Sequence, residues 1–343
     1  MADHYKVSIS RDHYIDLARG ICMVSIIFIH TTFKSGSYYV PHYVRMLSLL
    51  LDVPAFFFLS GMTYALTNKD VIVNGLFRML ASFGLLSFFY DCIYSNFNFK
   101  NTFKALTLNK PLLTNWPVVS ESYWFVPVFV GVSIFGAVVV KKMERFCIPV
   151  IVLLFFCFPI SFFLDVELPR WLTLGIETKI LAYYLALYLL GYIVKVRILG
   201  SKYQDQISFL LAIMGVTLFI LSFDKKVDEA FDLQTSKLDV TLPYVSASFL
   251  SVSAIIFFYN PNLKSMVLEH IGKNSLFYYV GQGVGSSYLY LWVGFINTLW
   301  PIKLLLMFVA NLILTIIVSE TFRIVYGYLG SCHWLNGRLL REK

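Results

Sequence analysis

Three ionisable residues lie within the first long apolar stretch of the sequence: Asp16, Arg19 and His30. Arg19 and His30 are eleven residues apart. In an α-helix that spacing is about 20° more than three turns, so both lie on one face, about 16 Å apart. Asp16 precedes Arg19 by three residues, which allows a local ion pair. A cation near one end of the face and an imidazole deeper along it suit a long ligand with an anionic end and a reactive end.

A structural interpretation of these residues stays open. Asp16 and Arg19 can extend their charged groups to a membrane surface, and His30 can be a hydrogen-bonded packing residue. Ionisable side chains inside a membrane usually line a path or a site, because burying a charge in a bilayer is costly. The shared face of Arg19 and His30 therefore favours a functional role for both.

Membrane helices are the elements that must hold these side chains. Of the 343 residues, 58% are hydrophobic and 14% are charged, whereas soluble domains carry about 25% charged residues. Several apolar stretches are each about 20 residues long, which is the length of a membrane-spanning helix. We predict an all-α integral membrane bundle of about ten transmembrane helices, at approximately 14–33, 43–66, 71–95, 121–140, 146–164, 176–194, 206–223, 242–259, 274–299 and 301–322.

The charge distribution predicts the orientation of this bundle. Ten crossings place both termini on one side of the membrane, and Lys and Arg are more numerous in the loops of that side. Both termini are therefore expected in the cytoplasm. We expect a single domain over 1–343, with a cytosolic arm at 1–13 and a cytosolic tail at 323–343. The formal net charge of +8 fits Lys- and Arg-rich cytosolic loops, and we expect no nucleic-acid partner.

Four blocks of the sequence resemble the acyltransferase-3 family of polytopic membrane O-acyltransferases. "YIDLARGICMVSIIFIH" (14–30) has the Arg-x10-His spacing of the family's first helix. "DVPAFFFLSGMTYAL" (52–66) is similar to the second helix, nearest to the fucose 4-O-acetylase-like branch. "SYWFVPVF" (122–129) and "IGKNSLFYYVGQ" (271–282) are similar to two later blocks. Two positions differ, since Asp52 and Gln282 stand where relatives often have His.

The resemblance implies transfer of an acyl group, usually acetyl, from coenzyme A to a sugar hydroxyl of a cell-surface polysaccharide or its lipid-linked precursor. It implies acetyl-CoA as co-substrate, the lipid bilayer and a sugar acceptor as partners, and the cytoplasmic membrane as the location. We predict His30, Arg19 and Asp16 as the catalytic set. His30 either acts as general base or accepts the acyl group and passes it on, and both alternatives stay open.

Cations near the cytosolic surface are the predicted contacts of the CoA phosphates, because phosphates bind Arg and Lys strongly. Arg19 and Arg78 are predicted in direct contact, with Lys141 and Lys142 as outer charges. Arg78 is equally compatible with a guanidinium that extends to the membrane surface.

Acceptor binding is predicted at Asp52, Glu121 and Trp124, since carboxylates and aromatic rings hold sugars. Two alternatives remain: Asp52 pairs with an Arg or a hydroxyl, and Glu121 is a solvated acid favoured by a helix start. No metal-ligand spacing of the HExxH type occurs, so no metal is predicted.

A transporter or flippase for a glycan precursor or an acyl carrier is the alternative function. In that case Arg19 and His30 line a path without chemistry. The sequence has no convincing internal repeat of the kind from which many transporters are built. The enzyme is therefore favoured, and consumption of acyl-CoA by the purified protein discriminates between the two.

Overall fold

The computed structural model describes residues 12–66, 70–164, 172–173, 176–223 and 233–331. Helices dominate these ranges, together with one antiparallel pair of two-residue strands, β1 (Leu172–Thr173) and β2 (Ile176–Glu177). The helices are α1 (His13–Lys34), α2 (His42–Ser48), α3 (Val53–Ala65), α4 (Asp70–Tyr94), α5 (Lys100–Leu106), α6 (Pro117–Ser122), α7 (Phe125–Met143), α8 (Cys147–Leu164), α9 (Thr178–Arg197), α10 (Gln204–Phe223), α11 (Leu233–Asp239), α12 (Leu242–Phe257), α13 (Met266–Lys273), α14 (Ser275–Val293) and α15 (Trp300–Ser331).

Every predicted membrane segment contains a helix, and the chain is an all-α, multi-pass membrane protein. Within the described ranges, α12 is a shorter apolar helix, and seven stretches are long and apolar enough to cross a membrane: 13–34, 42–65, 75–94, 117–155, 178–197, 204–222 and 300–328. The count of ten crossings and the cytoplasmic termini stay predictions.

The second and the last segment differ most from the prediction, and the helix of the ninth segment ends at Val293 rather than at 299. The second segment contains two helices, because α2 ends at Ser48, a 3-10 turn spans Leu49–Leu51, and Pro54 lies in the first turn of α3. Proline is favoured there because its missing N–H has no partner to lose. The last helix continues to Ser331, past the predicted end at 322. Residues 1–11 of the predicted arm and 332–343 of the predicted tail lie outside the described residues.

Helix α1 occupies the centre of the bundle, where it contacts α2, α3, α13, α14 and α15. Its start is fixed by Asp12, whose Oδ1 accepts hydrogen bonds from the backbone N–H groups of Tyr14 (3.1 Å) and Ile15 (3.4 Å). Such caps satisfy the free N–H groups at a helix start. The helix finishes at Lys34. We call the two ends of the bundle the Asp12 end and the Lys34 end.

Glycines allow close helix crossings beside α1. A Cβ added at Gly20 would lie 2.0 Å from the carbonyl oxygen of Leu268, and one at Gly272 would lie 1.8 Å from that of Asp16. Helices α1 and α13 therefore touch backbone to backbone, a contact in which small residues are favoured in membranes. Helices α3 and α9 meet in the same way at Gly61 and Gly191.

Candidate active site

The residues predicted to do chemistry lie on one unbroken helix. Helix α1 runs from His13 to Lys34 and carries both Arg19 and His30, each half-buried. Met23 and Ile26 lie between them on the same face and are 0% and 3% exposed. The face that the spacing predicted is therefore directed into the bundle.

Arg19 is held by two neighbouring helices. Its Nη2 donates a hydrogen bond to Ser275 Oγ at 2.8 Å, at the start of α14. Its guanidinium carbon lies 5.4 Å from the centre of the Phe56 ring on α3, within the range of a cation–π contact. Asp16 is buried at the crossing of α1 with α13. An ion pair between Asp16 and Arg19 stays a prediction.

Asp52 has a cationic partner that the sequence did not reveal. Its side chain is buried at the start of α3, and the Nζ of Lys237 lies 2.6 Å from its Oδ2. The same Nζ lies 5.3 Å from the centre of the Trp124 ring, just before α7. Lys237 therefore brings together two of the three residues predicted to bind the acceptor.

His30 lies on α1, four residues before Lys34, and is half-buried. We call Asp52, Trp124 and Lys237 the interior cluster.

Aromatic side chains surround the interior cluster. The hydroxyls of Tyr184 and Tyr244 lie 2.9 Å apart, and Tyr279 donates a hydrogen bond to the carbonyl oxygen of Ser122 at 3.0 Å. The ring centres of Trp124 and Tyr184 are 6.1 Å apart. These tyrosines are at most 5% exposed. A wall of this kind excludes water and thereby strengthens the electrostatic interactions inside it.

Glu121, the third residue predicted to bind the acceptor, lies on the surface at the Lys34 end. Its carboxylate is exposed and forms an ion pair with Lys34. This contact agrees with the solvated-acid interpretation, while binding of a sugar by Glu121 stays a prediction.

The remaining predicted phosphate contacts are exposed. Arg78 lies on α4, and Lys141 and Lys142 lie in the last turn of α7. Among the described residues no carboxylate forms an ion pair with any of the three. Contact of these three cations with CoA stays a prediction.

A comparison with models of protein families shows to which family this chain belongs. Residues 12–320 match the acyltransferase-3 family model, described as "Acyltransferase domain". The chain belongs to this family. It is therefore a membrane acyltransferase, which confirms the resemblance seen in its motifs, whereas the fucose 4-O-acetylase-like branch stays a prediction. No curated protein and no solved structure matched the chain.

Acyl transfer needs a base or nucleophile and donors for the developing oxyanion. His30 is a side chain of the first kind, and Arg19 is a hydrogen-bond donor on the same helix. Among the described residues no group of three His, Cys, Asp or Glu side chains is placed to hold a metal ion.

Two residues of the site were missed in the sequence. Ser275 lies in the quoted late block, so its position was available, but its contact with Arg19 follows only from the packing of α14 on α1. Lys237 lies in a predicted polar loop, 224–241, where nothing distinguishes it from a solvated lysine. Its role follows only from the contact with Asp52 across the bundle.

Proposed function

We propose that this acyltransferase transfers an acetyl or other short acyl group from cytosolic acyl-CoA to a sugar hydroxyl of a cell-surface polysaccharide or its lipid-linked precursor. The observation that supports this most is the arrangement along α1. Arg19 is held by a hydrogen bond to Ser275, and His30 follows eleven residues later on the same continuous helix. The acyl donor and the acceptor sugar are part of the proposal, as is the fucose 4-O-acetylase-like branch.

The donor is proposed to lie along α1. The rise from Arg19 to His30 is about 16 Å, comparable to the pantetheine arm of CoA. Phosphates bound at Arg19 then place the thioester close to His30. Arg78, Lys141 and Lys142 attract the phosphates from the surface, because exposed cations raise the local concentration of anions. This assignment requires the Asp12 end to face the cytoplasm and the chain to reside in the cytoplasmic membrane.

His30 is the proposed centre of the chemistry. In direct transfer, its neutral imidazole accepts the proton of the acceptor hydroxyl while the oxygen attacks the thioester carbon. The carbon–sulfur bond breaks, CoA leaves as thiolate, and the proton held by His30 returns to the sulfur. In the relay, a neutral imidazole nitrogen attacks the thioester carbon first, the carbon–sulfur bond breaks and CoA leaves as thiolate. The acceptor oxygen then attacks the acyl carbon, the carbon–nitrogen bond to His30 breaks, and the hydroxyl proton passes to the thiolate.

The acceptor is proposed to approach from the Lys34 end. Trp124 and Asp52 lie deeper than Glu121, which is paired with Lys34 at the surface. An aromatic ring packs against the apolar face of a sugar, and a carboxylate accepts hydrogen bonds from its hydroxyls. A transporter without chemistry is set aside, because the chain belongs to a family of acyltransferases.

The experiment is an assay of purified protein in lipid vesicles with acetyl-CoA, and separately with succinyl-CoA. Release of the CoA thiol is followed in the presence of membrane-extracted glycan. Faster thiol release with acetyl-CoA, and acetyl esters on the glycan, support the proposal. Thiol release with succinyl-CoA alone overturns the acetyl donor, and acyl groups found only on protein or lipid overturn the sugar acceptor.

A further inference from the structure

Gln282 is a fully buried amide in the middle of α14. It is 0% exposed, and neither Nε2 nor Oε1 has a hydrogen-bond partner among the described residues. Buried polar groups are nearly always hydrogen-bonded, because an unsatisfied one destabilises the fold. Because Gln282 lowers the stability of the fold, we look for a function that explains why it is present.

The contacts of α14 with α1 fix the position of Gln282. At one level Arg19 binds Ser275. At another level Asn311 Nδ2 donates to Thr31 Oγ1 (2.9 Å) and to Ser286 Oγ (3.0 Å), and so bridges α1 and α14. Ser275 follows Arg19 by 256 residues, and Ser286 follows Thr31 by about the same number. Helices α1 and α14 therefore run in the same direction and in register.

The helical spacing then places Gln282 between the two levels. On α14, Gln282 and Ser286 follow Ser275 by seven and eleven residues, so the three share a face to within about 40°. On α1, Ile26 and His30 follow Arg19 by the same spacings. Gln282 is thus level with Ile26, about 10 Å along the axis from Arg19 and about 6 Å before His30.

We propose that Gln282 donates a hydrogen bond from its side-chain Nε2 to the carbonyl oxygen of the acyl group and stabilises the oxyanion. This inference rests on the proposed path of the donor along α1, in which the thioester lies between Arg19 and His30. Attack on the carbonyl carbon moves the π electrons of the C=O bond onto oxygen. That charge is held by the amide N–H until the C=O bond re-forms and the thiolate leaves.

Three variants test this role. Gln282→Met keeps the length of the side chain and removes both polar ends, whereas Gln282→His keeps an N–H donor. Ser87→Ala is the matched control, because Ser87 on α4 is also 0% exposed and its Oγ has no partner among the described residues. Each variant is assayed for kcat and for KM with the acyl-CoA that the wild type uses, and its Tm is measured in detergent.

The expected result separates activity from stability. Gln282→Met lowers kcat by about 100-fold, the typical loss for one oxyanion donor, and changes KM little. Its Tm is equal to or above that of the wild type, because an unsatisfied buried group has been removed. Gln282→His retains more activity than Gln282→Met, and Ser87→Ala keeps the wild-type kcat.

Two results overturn the role of Gln282 and leave the proposed acyl donor unaffected. One is an active wild type whose Gln282→Met variant keeps kcat, and the other is a Tm that falls in Gln282→Met, since a fall reveals a structural hydrogen bond. A wild type that turns over no acyl-CoA overturns the proposed donor and the Gln282 role with it.

Discussion

The acids at the Asp12 end have more partners within the protein than Asp52 and Gln282 have in the interior of the bundle. At the Asp12 end each of three acids has several partners: Asp12 binds Lys195 and Tyr259, Glu269 binds His13 and Lys273, and Glu320 binds His270, Tyr278 and Arg323. In the interior, and among the described residues, Asp52 forms an ion pair with Lys237 alone, and the side chain of Gln282 has no hydrogen-bond partner.

This difference indicates a structural role at one end and a functional role in the interior. We call Asp12, Glu269 and Glu320, together with their partners, the clamp. Asp12 and Glu269 tie α1 to α9, to α13 and to the segment after α12. Glu320 ties α15 to α13 and α14. Such satisfied networks rigidify a fold. In the interior, Gln282 keeps hydrogen-bonding capacity that a substrate can use. We therefore expect substitutions at the Asp12 end to change stability and substitutions in the interior to change activity, with one exception.

The exception is Asp52, for which the largest effect on stability is expected. In Asp52→Asn the ammonium of Lys237 is left buried without its counter-charge, and breaking such a pair costs about 3–5 kcal/mol. The double variant Asp52→Asn with Lys237→Met removes both charges. We expect it to recover most of the stability but not the acyl-transfer activity, as measured by unfolding in detergent and by thiol release. A single variant as stable as the wild type would show that the pair is not buried.

A smaller loss is expected from Gly272→Ala at the Asp12 end. The new Cβ would lie 1.8 Å from the carbonyl oxygen of Asp16, so α13 must move away from α1. Overpacking of this kind costs about 1–3 kcal/mol. Gly75→Ala on α4 is the control, because nothing lies within 4 Å of its added Cβ. Equal Tm values for the two variants would contradict the close crossing.

Substitution of Arg19 distinguishes substrate binding from the reaction itself, since Arg19 is expected to contribute to the binding of acyl-CoA. Arg19→Lys keeps the charge but loses the planar donor set that contacts Ser275 and that we propose to bind the CoA phosphates. We expect KM for acyl-CoA to rise about tenfold, the value of one charged hydrogen bond, with kcat nearly unchanged. Kinetics over a range of acyl-CoA concentrations measure both. A fall in kcat at constant KM would move Arg19 from phosphate binding to the reaction itself.

The smallest effect is a pH dependence at the Asp12 end. The hydrogen bond from His13 is the main reason that the pKa of Glu269 is lowered from 4.5 to about 2. Because the pKa is lower in the folded state, this contribution to stability is present above pH 4.5 and is lost as the pH falls towards about 2. Glu269→Gln should therefore flatten the fall in Tm over this range. An unchanged slope would contradict the contact with His13.

The fold was largely predictable from the sequence, because hydrophobic runs of membrane length determine where helices occur. The shared face of Arg19 and His30 followed from spacing alone and lies on one continuous helix. The break between α2 and α3 was missed, since the apolar run continues through both helices and only Pro54 marks the interruption.

The partners across the bundle were not predictable. Asp91 illustrates this limit, because its carboxylate accepts hydrogen bonds from Asn101 and Thr102 and so fixes the start of α5 against α4. Spacing indicates which residues share a helix face, but the neighbours of that face depend on how the helices pack. Asp52 with Lys237 is the same case, with one partner in an apolar run and the other in a polar loop.

The most direct test of the account compares two histidines of α1. His30→Ala and His13→Ala are expressed at matched levels in cells that lack the wild-type gene, and acetyl groups on the surface glycan are quantified. The account predicts that His30→Ala abolishes acetylation while His13→Ala retains it, because His13 belongs to the clamp and His30 to the site. Acetylation that survives in an inserted, folded His30→Ala protein would contradict the central claim.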